Sequence, residues 1–171
     1  MNKKLSAKTG ILLDLGCGGN KQGPQWVGMD KRKLPGVDIV HDIEKLPYPF
    51  EDESVLTCIT SHVLEHMKPW LMLDIFNEVW RIMQVGGQWI IGVPYGVSHG
   101  FVQDPTHVKP FNESTFYYFD PYPKDLGWYD GATGSFNILY DIYKPKPWKI
   151  LTSYWSMNGN MDVVLEKRSL P

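Results

Sequence analysis

The stretch Ile11 to Asn20, ILLDLGCGGN, constrains the fold more than any other part of the chain. Three apolar residues run into Asp14, and the chain then turns through Gly16, Gly18 and Gly19, as a buried parallel strand does where it ends at a ligand crevice. Glycines at such a bend open backbone angles closed to other residues and remove side chains that would hold a ligand off the main chain. The stretch predicts a strand followed by a nucleotide-type loop; a plain glycine turn between buried elements is the competing reading. A dinucleotide fingerprint would put a third glycine where the chain has Lys21 and an acidic residue about 20 residues on, whereas Asp30 comes sooner. A nicotinamide dehydrogenase is disfavoured on both counts.

Trp26 to Arg32 reads as a second strand ending in Asp30, with Gly23-Pro24 just before it. Only about nine residues separate the two strands, fewer than a helical crossover needs, so a loop or single turn is expected there. Leu34, Pro35 and Gly36 lead at once into a third strand, Val37 to Glu44, which ends near Asp42. After the acidic loop Leu46 to Ser54, Val55 to Val63 is a buried strand rich in β-branched residues. Pro69 opens the clearest helix, its face built from Leu71, Leu73, Ile75, Phe76, Val79, Ile82 and Met83, and Gly86-Gly87 is expected to stop it. Gln88 to Tyr95 is a fifth strand. Four strands, a helix and a strand make an α/β domain.

Gly96 to Gly134 has no sustained period and is crowded with aromatics, among them Phe101, Phe111, Phe116 to Phe119, Tyr122, Trp128 and Tyr129. It reads as a substrate cap with a short helix near Glu113 to Phe119. Ser135 to Pro145 and Trp148 to Met157 read as strand material and Asp162 to Arg168 as a final strand, with a hairpin turn at Asn158-Gly159-Asn160. The 171 residues suit a single domain, 1–171, with residues 96–134 as its cap. A net charge of −2 gives no global field that would draw the chain to nucleic acid or an anionic membrane. Cys17 and Cys58 lack metal-type spacing, and no apolar run precedes the first strand, so a cytoplasmic protein with reduced thiols is expected.

DLGCGGN, then GMD, HDIEKLP, SHVLEH, and a helix leading into RIMQVGGQWIIGVPY together resemble the class I S-adenosylmethionine-dependent methyltransferases of the small type 11 kind. The resemblance covers Ile11 to about Tyr95, and the later DPTHVKPF is similar to a segment of some members. It implies a Rossmann-like, mostly parallel twisted sheet with a C-terminal antiparallel hairpin, here with abbreviated N-terminal helices, and S-adenosylmethionine as cofactor. In that frame Gly16 and Gly18 line the amino acid tail and ribose through backbone, Asp14 steadies the ammonium group and Asn20 shapes the loop. Asp30 takes the ribose hydroxyls, Asp42 the adenine amino group and the Ile43 N–H a ring nitrogen, while Ser61 and His62 complete the floor. A carboxylate suits vicinal hydroxyls because its oxygens only accept hydrogen bonds. Asp30 and Asp42 would otherwise be loop carboxylates capping turns.

The expected reaction is methyl transfer to an oxygen or nitrogen of a small molecule or sugar, the absence of a basic run disfavouring nucleic acid. The alternative is a non-catalytic cofactor-binding or partner subunit that keeps the fold. For an alcohol acceptor the candidate base is His99 or His107, with Asp104 as its orienting carboxylate. His41 reads as structural. His62 and His66 stand four residues apart, but Glu65 is poorly placed and no third ligand is evident, so no metal is expected. Strands such as ILL and WIIGV are apolar at consecutive positions, so both sheet faces need cover; the chain's own aromatic segments or a second copy could supply it, and a homodimer is the expectation.

Overall fold

The computed structural model describes residues 10–121 and 142–170. Seven strands, β1 (Ile11–Leu15), β2 (Val27–Asp30), β3 (Ile39–Val40), β4 (Val55–Ser61), β5 (Met83–Pro94), β6 (Trp148–Trp155) and β7 (Asn160–Lys167), form one sheet ordered β3-β2-β1-β4-β5-β7-β6. β1 to β5 run parallel, and β7 lies antiparallel between β5 and β6. This is the expected Rossmann-like sheet with a C-terminal hairpin. The chain leaves β1 for β2 on one side and later returns to place β4 on the other, so the loops after β1 and β4 diverge and open a crevice at their carboxyl ends.

No helix links β1 to β2, β2 to β3 or β3 to β4. Turn chemistry also clips the third strand, expected over 37–44, to Ile39–Val40. At its start the Asp38 carboxylate accepts the Gly28 N–H at 2.8 Å and the Lys21 ammonium at 2.6 Å. At its end Asp42 Oδ1 accepts the Glu44 N–H at 3.1 Å, and the Asp42 carbonyl takes the Lys45 N–H. Asx turns of this kind offer the backbone an alternative to the ladder.

Pro69–Leu71 forms one 3-10 turn and α1 (Met72–Ile82) continues it. The helix ends at Ile82, not at Gly86-Gly87 as expected, because Met83 is already extended and opens β5. The two glycines lie inside β5, where pairing with β4 jumps from Val55↔Met83 to Thr57↔Gln88 and the longer strand must bulge. Gly86 takes φ +77°, and a Cβ on Gly87 would come within 2.8 Å of the Leu56 carbonyl. Here the glycines serve a bulge rather than a helix cap.

Leu13, Cys58, Trp89 and Leu165 align across β1, β4, β5 and β7, all of them fully buried. Phe76 of α1 meets Trp89 at 4.7 Å and stacks on Phe119 at 3.9 Å, so the helix and the cap close over the same face. The opposite face is mixed. One row holds Asp14, Ile59, Ile90 and Val164, and another holds Leu12, Thr57, Gln88, Glu166 and Lys149. Consecutive apolar residues therefore do not make this face uniformly apolar, and its need for cover is smaller than expected. α1 also anchors the acidic loop: Arg81 donates to Glu78, to Asp52 and to the Phe50 carbonyl, while Glu78 accepts the Tyr48 N–H at 2.6 Å.

Within the cap, α2 (His99–Val102) and α3 (Glu113–Tyr117) are single short helices. Asn112 and Thr115 close α3 with reciprocal capping bonds. Of the expected strand Ser135 to Pro145, residues 135–141 lie outside the described residues, as do Tyr122, Trp128 and Tyr129; Ile142 and Tyr143 are helical rather than extended. The hairpin turn forms as expected, with Gly159 at φ +89°.

Candidate active site

β1 delivers the chain to Gly16 at φ +82°, and Gly18 follows at φ +56°. A Cβ on Gly16 would lie 2.5 Å from a Val63 methyl, so steric room and backbone angle both demand glycine there. The loop is pinned underneath, because the Gly16 and Cys17 N–H groups both donate to the Met29 carbonyl. Above it opens a cleft of about 280 Å³ lined by Gly16, Asp30, Lys31, Arg32, Asp42, Ile43, His62, Val63, His66 and Met67. The ends of β1, β2 and β4 and the turn after β3 thus bring Gly16, Asp30, Asp42, Ile43 and His62 together on one wall.

Asp14, Gly18, Asn20 and Ser61 do not line this cleft. Asp14 is buried and its carboxylate accepts the Gln22 N–H at 2.9 Å, which braces the glycine loop from behind. Burial raises its pKa, partly offset by that bond. The Gly18 N–H is spent on Asp30 at 3.0 Å, the Asn20 N–H on the Cys17 carbonyl, and Ser61 is exposed. Burial first, then the carboxylates of Asp14, Asp30 and Asp38, push the Cys17 thiol up to about 11.

Asp30 is itself engaged. Its Oδ1 accepts the Arg32 N–H at 2.8 Å and Nε at 3.1 Å, and its Oδ2 accepts Gly18 N–H and Arg32 Nη2. Burial acts to raise its pKa, but the Arg32 side chain, the two backbone N–H groups and the guanidinium charge outweigh it, so the carboxyl sits below the ordinary range. His62 occupies the left-handed region at φ +54°, a conformation that costs energy for a non-glycine residue and is concentrated at functional sites. Its Nδ1 lies 3.2 Å from Glu65 Oε1, and that bond, more than burial, sets the balance that raises its pKa. His41 has the structural role expected, packing edge-on to Tyr48 with Nε2 at 2.6 Å from the Lys45 carbonyl.

Beside the cleft the structure gathers Glu65, His66 and His107, whose candidate ligand atoms lie within 4.8 Å of one another. The 3-10 turn Leu64–His66 points Glu65 inward, and its carbonyl accepts the N–H groups of Val108 and Lys109, which docks the DPTHV segment on the turn. His107 Nε2 lies 3.9 Å from Glu65 Oε1 and 3.7 Å from Asp104 Oδ2. The rings of His66 and His107 meet edge to face at 4.7 Å. The expectation that Glu65 is poorly placed and lacks a third partner is therefore corrected. His107 supplies that partner from about 40 residues away, a distance no local spacing rule spans; only the two short motifs SHVLEH and DPTHV marked it. His99 stands apart from this cluster, exposed at the start of α2.

A switch-point crevice floored by glycine, with carboxylates at the end of β2 and in the turn after β3, is where a Rossmann-like fold binds a nucleotide-type ligand. Residues 13–91 match the family model described as a methyltransferase domain, a match that supports methyl transfer with S-adenosylmethionine as cofactor. No curated protein matches the sequence. Among solved structures it is similar to the Burkholderia thailandensis 1,6-didemethyltoxoflavin-N1-methyltransferase with bound 1,6-didemethyltoxoflavin and S-adenosylhomocysteine, at 11% identity and TM-score 0.60, covering 93% of this chain and 71% of that one. A SAM-dependent methyltransferase from Archaeoglobus fulgidus is 18% identical at TM-score 0.57, covering 97% and 88%. The 16S rRNA (adenine(1408)-N(1))-methyltransferase from Catenulisporales acidiphilia is 13% identical at TM-score 0.58, again covering 97% and 88%. At these identities the likeness is one of fold.

Proposed function

We propose that this methyltransferase acts on an oxygen or nitrogen of a small-molecule or sugar acceptor. The observation that carries the reading is the cleft wall on which Gly16, Asp30, Asp42, Ile43 and His62 converge, with an acid–base cluster at its border. The residues fit the cofactor: the Gly16 backbone is bare, and two carboxylates stand at successive strand ends. Asp30 holds the ribose hydroxyls, Asp42 accepts from the adenine amino group, the Ile43 N–H meets a ring nitrogen, and His62 floors the methionine end. Asp14, Gly18 and Asn20 act one layer back, through the loop they brace or continue.

S-adenosylmethionine, when bound, supplies the methyl group on a sulfonium. The protein holds the acceptor in line with it, excludes water and removes a proton where the acceptor is a hydroxyl. His107, flanked by Asp104 and Glu65 and reached past His66, is the basic centre; His99 contributes from the cap rim. The net charge of −2 supports a small acceptor over nucleic acid. The toxoflavin-related and rRNA enzymes show that this fold serves both kinds.

Incubating the pure protein and S-adenosylmethionine with a cell extract, followed by mass spectrometry, is the test. A small molecule or sugar that gains one methyl group supports the reading. Methylated RNA as the product overturns the acceptor class, and cofactor binding without turnover of any extract component leaves the partner-subunit alternative in its place.

Among the described residues no helix is long and apolar enough to cross a membrane, and Cys17 and Cys58 are both free thiols, which supports a cytoplasmic location. The half-buried stripe of Leu12, Ile59, Ile90 and Val164 supports pairing of two copies through the second sheet face. A monomer by light scattering at high concentration removes that pairing.

A further inference from the structure

We propose that Glu65, His66 and His107 form a binding site for one divalent transition-metal ion of the zinc class, with Asp104 beside it. The inference begins from a buried carboxyl group. Glu65 is fully buried, its Oε1 meets His62 Nδ1 at 3.2 Å, and its Oε2 is buried with no hydrogen-bond partner. A carboxylate oxygen left alone in a protein interior carries a desolvation cost that a cation would offset.

Each histidine has one ring nitrogen engaged by a hydrogen bond and the other left over. His107 Nδ1 lies 2.9 Å from the Phe101 carbonyl, which can only accept, so Nδ1 carries a proton and in the neutral ring Nε2 is the nitrogen with the lone pair. That Nε2 faces Glu65 Oε1 at 3.9 Å and Asp104 Oδ2 at 3.7 Å, acceptors both when ionised, with no neutral donor between them. His66 repeats the pattern. Its Nδ1 lies 3.3 Å from the Thr106 carbonyl and 3.0 Å from Thr106 Oγ1, whose own proton goes to Asp104 Oδ1 at 2.7 Å. His66 therefore also donates from Nδ1 and leaves Nε2 open. Metal-bound histidines are held in this way, with the second ring nitrogen donating to a backbone carbonyl or carboxylate that fixes the tautomer.

Two imidazoles and one carboxylate suit zinc and its neighbours better than calcium or magnesium, which prefer all-oxygen shells. Three protein ligands also leave a position for a non-protein group, the pattern of catalytic rather than structural sites. His66 lines the cofactor cleft, so the ion would stand at the border of the acceptor's approach. The ion's role rests on the methyl-transfer reading. An ion held by Glu65, His66 and His107 would acidify an acceptor hydroxyl as a Lewis acid, so that its proton could pass to solvent, and would replace His107 as the means of removing that proton.

The test is equilibrium dialysis of the chelator-treated full chain against Zn²⁺, with the visible spectrum of Co²⁺ as a second readout, in the absence of cofactor. One equivalent is expected to bind, with affinity falling about 100-fold or more in Glu65→Gln, which preserves size, and in His66→Ala, which alters a more exposed ring. His41→Ala, outside the cluster, is expected to bind as the wild type does. Absence of binding to the wild type at about 100 μM metal overturns the site, and so does undiminished binding by His66→Ala when Glu65→Gln is either undiminished or unfolded. S-adenosylmethionine titrated into the same wild-type protein separates the two readings: metal binding without cofactor binding would sink the methyl-transfer role and leave the ion site standing.

Discussion

The Arg32 side chain and its own backbone N–H both close on the Asp30 carboxylate, at 2.8 to 3.3 Å, in the wall of the cleft. The carboxylate proposed for the ribose hydroxyls is thus held in place by a guanidinium that, on that reading, yields an oxygen to the ligand. Arg32 itself is well exposed, so its hold is that of a surface ion pair, whereas the Gly18 and Arg32 N–H bonds are part of the turn.

Replacing Asp30 by alanine is expected to weaken S-adenosylmethionine binding by about 1.5–3 kcal/mol, tenfold or more, through loss of charge-assisted hydrogen bonds. Calorimetry on the folded variant checks this. Unchanged affinity would remove Asp30 from the ribose.

Arg32→Ala is expected to act in the opposite direction, raising cofactor affinity a few-fold by freeing Asp30 while leaving thermal stability nearly unchanged. A loss of tenfold or more in the same titration would mean that Arg32 binds the cofactor rather than competing with it.

Because the folded-state pKa of Asp30 lies below its unfolded value, its contribution to stability is complete above about pH 4 and is lost as the pH falls through the lower folded value. Denaturant midpoints measured from pH 6 to pH 2 should fall less steeply at the acid end for Asp30→Asn than for the wild type. Parallel curves would refute the assignment.

His107→Ala should lower turnover about 10²–10⁴-fold with cofactor affinity nearly constant, whether His107 takes the proton itself or helps hold an ion that acidifies the acceptor hydroxyl. His99→Ala, on an exposed ring outside the cluster, should cost less than about tenfold. The reverse ranking would move the acid–base centre to the cap rim.

In the core, Phe76 touches both Trp89 and Phe119, and Phe76→Ala should cost about 3–5 kcal/mol in urea unfolding. A cost below about 1 kcal/mol would show that the cap does not close on α1 as described.

Sequence alone determined the strand-loop order, the C-terminal hairpin turn and the helix-poor crossovers, which rest on local information: runs of β-branched residues, glycines and prolines at turns, and links too short for a helix. The mostly parallel sheet and the roles expected of Asp30 and Asp42 came from the family resemblance of the motifs. Local rules failed where a residue type has two uses. Gly86-Gly87 reads as a helix stop but serves a bulge, because only pairing with β4 reveals that β5 has residues to spare. Apolar runs read as two-faced strands, yet register set polar Gln88, Glu166 and Lys149 in a row on the second face. The meeting of Glu65 and His66 with His107 was decided by tertiary structure alone. Two carbonyl bonds from Glu65 dock a distant segment on its turn, and a contact between residues so far apart in the chain leaves no periodicity for a sequence to display.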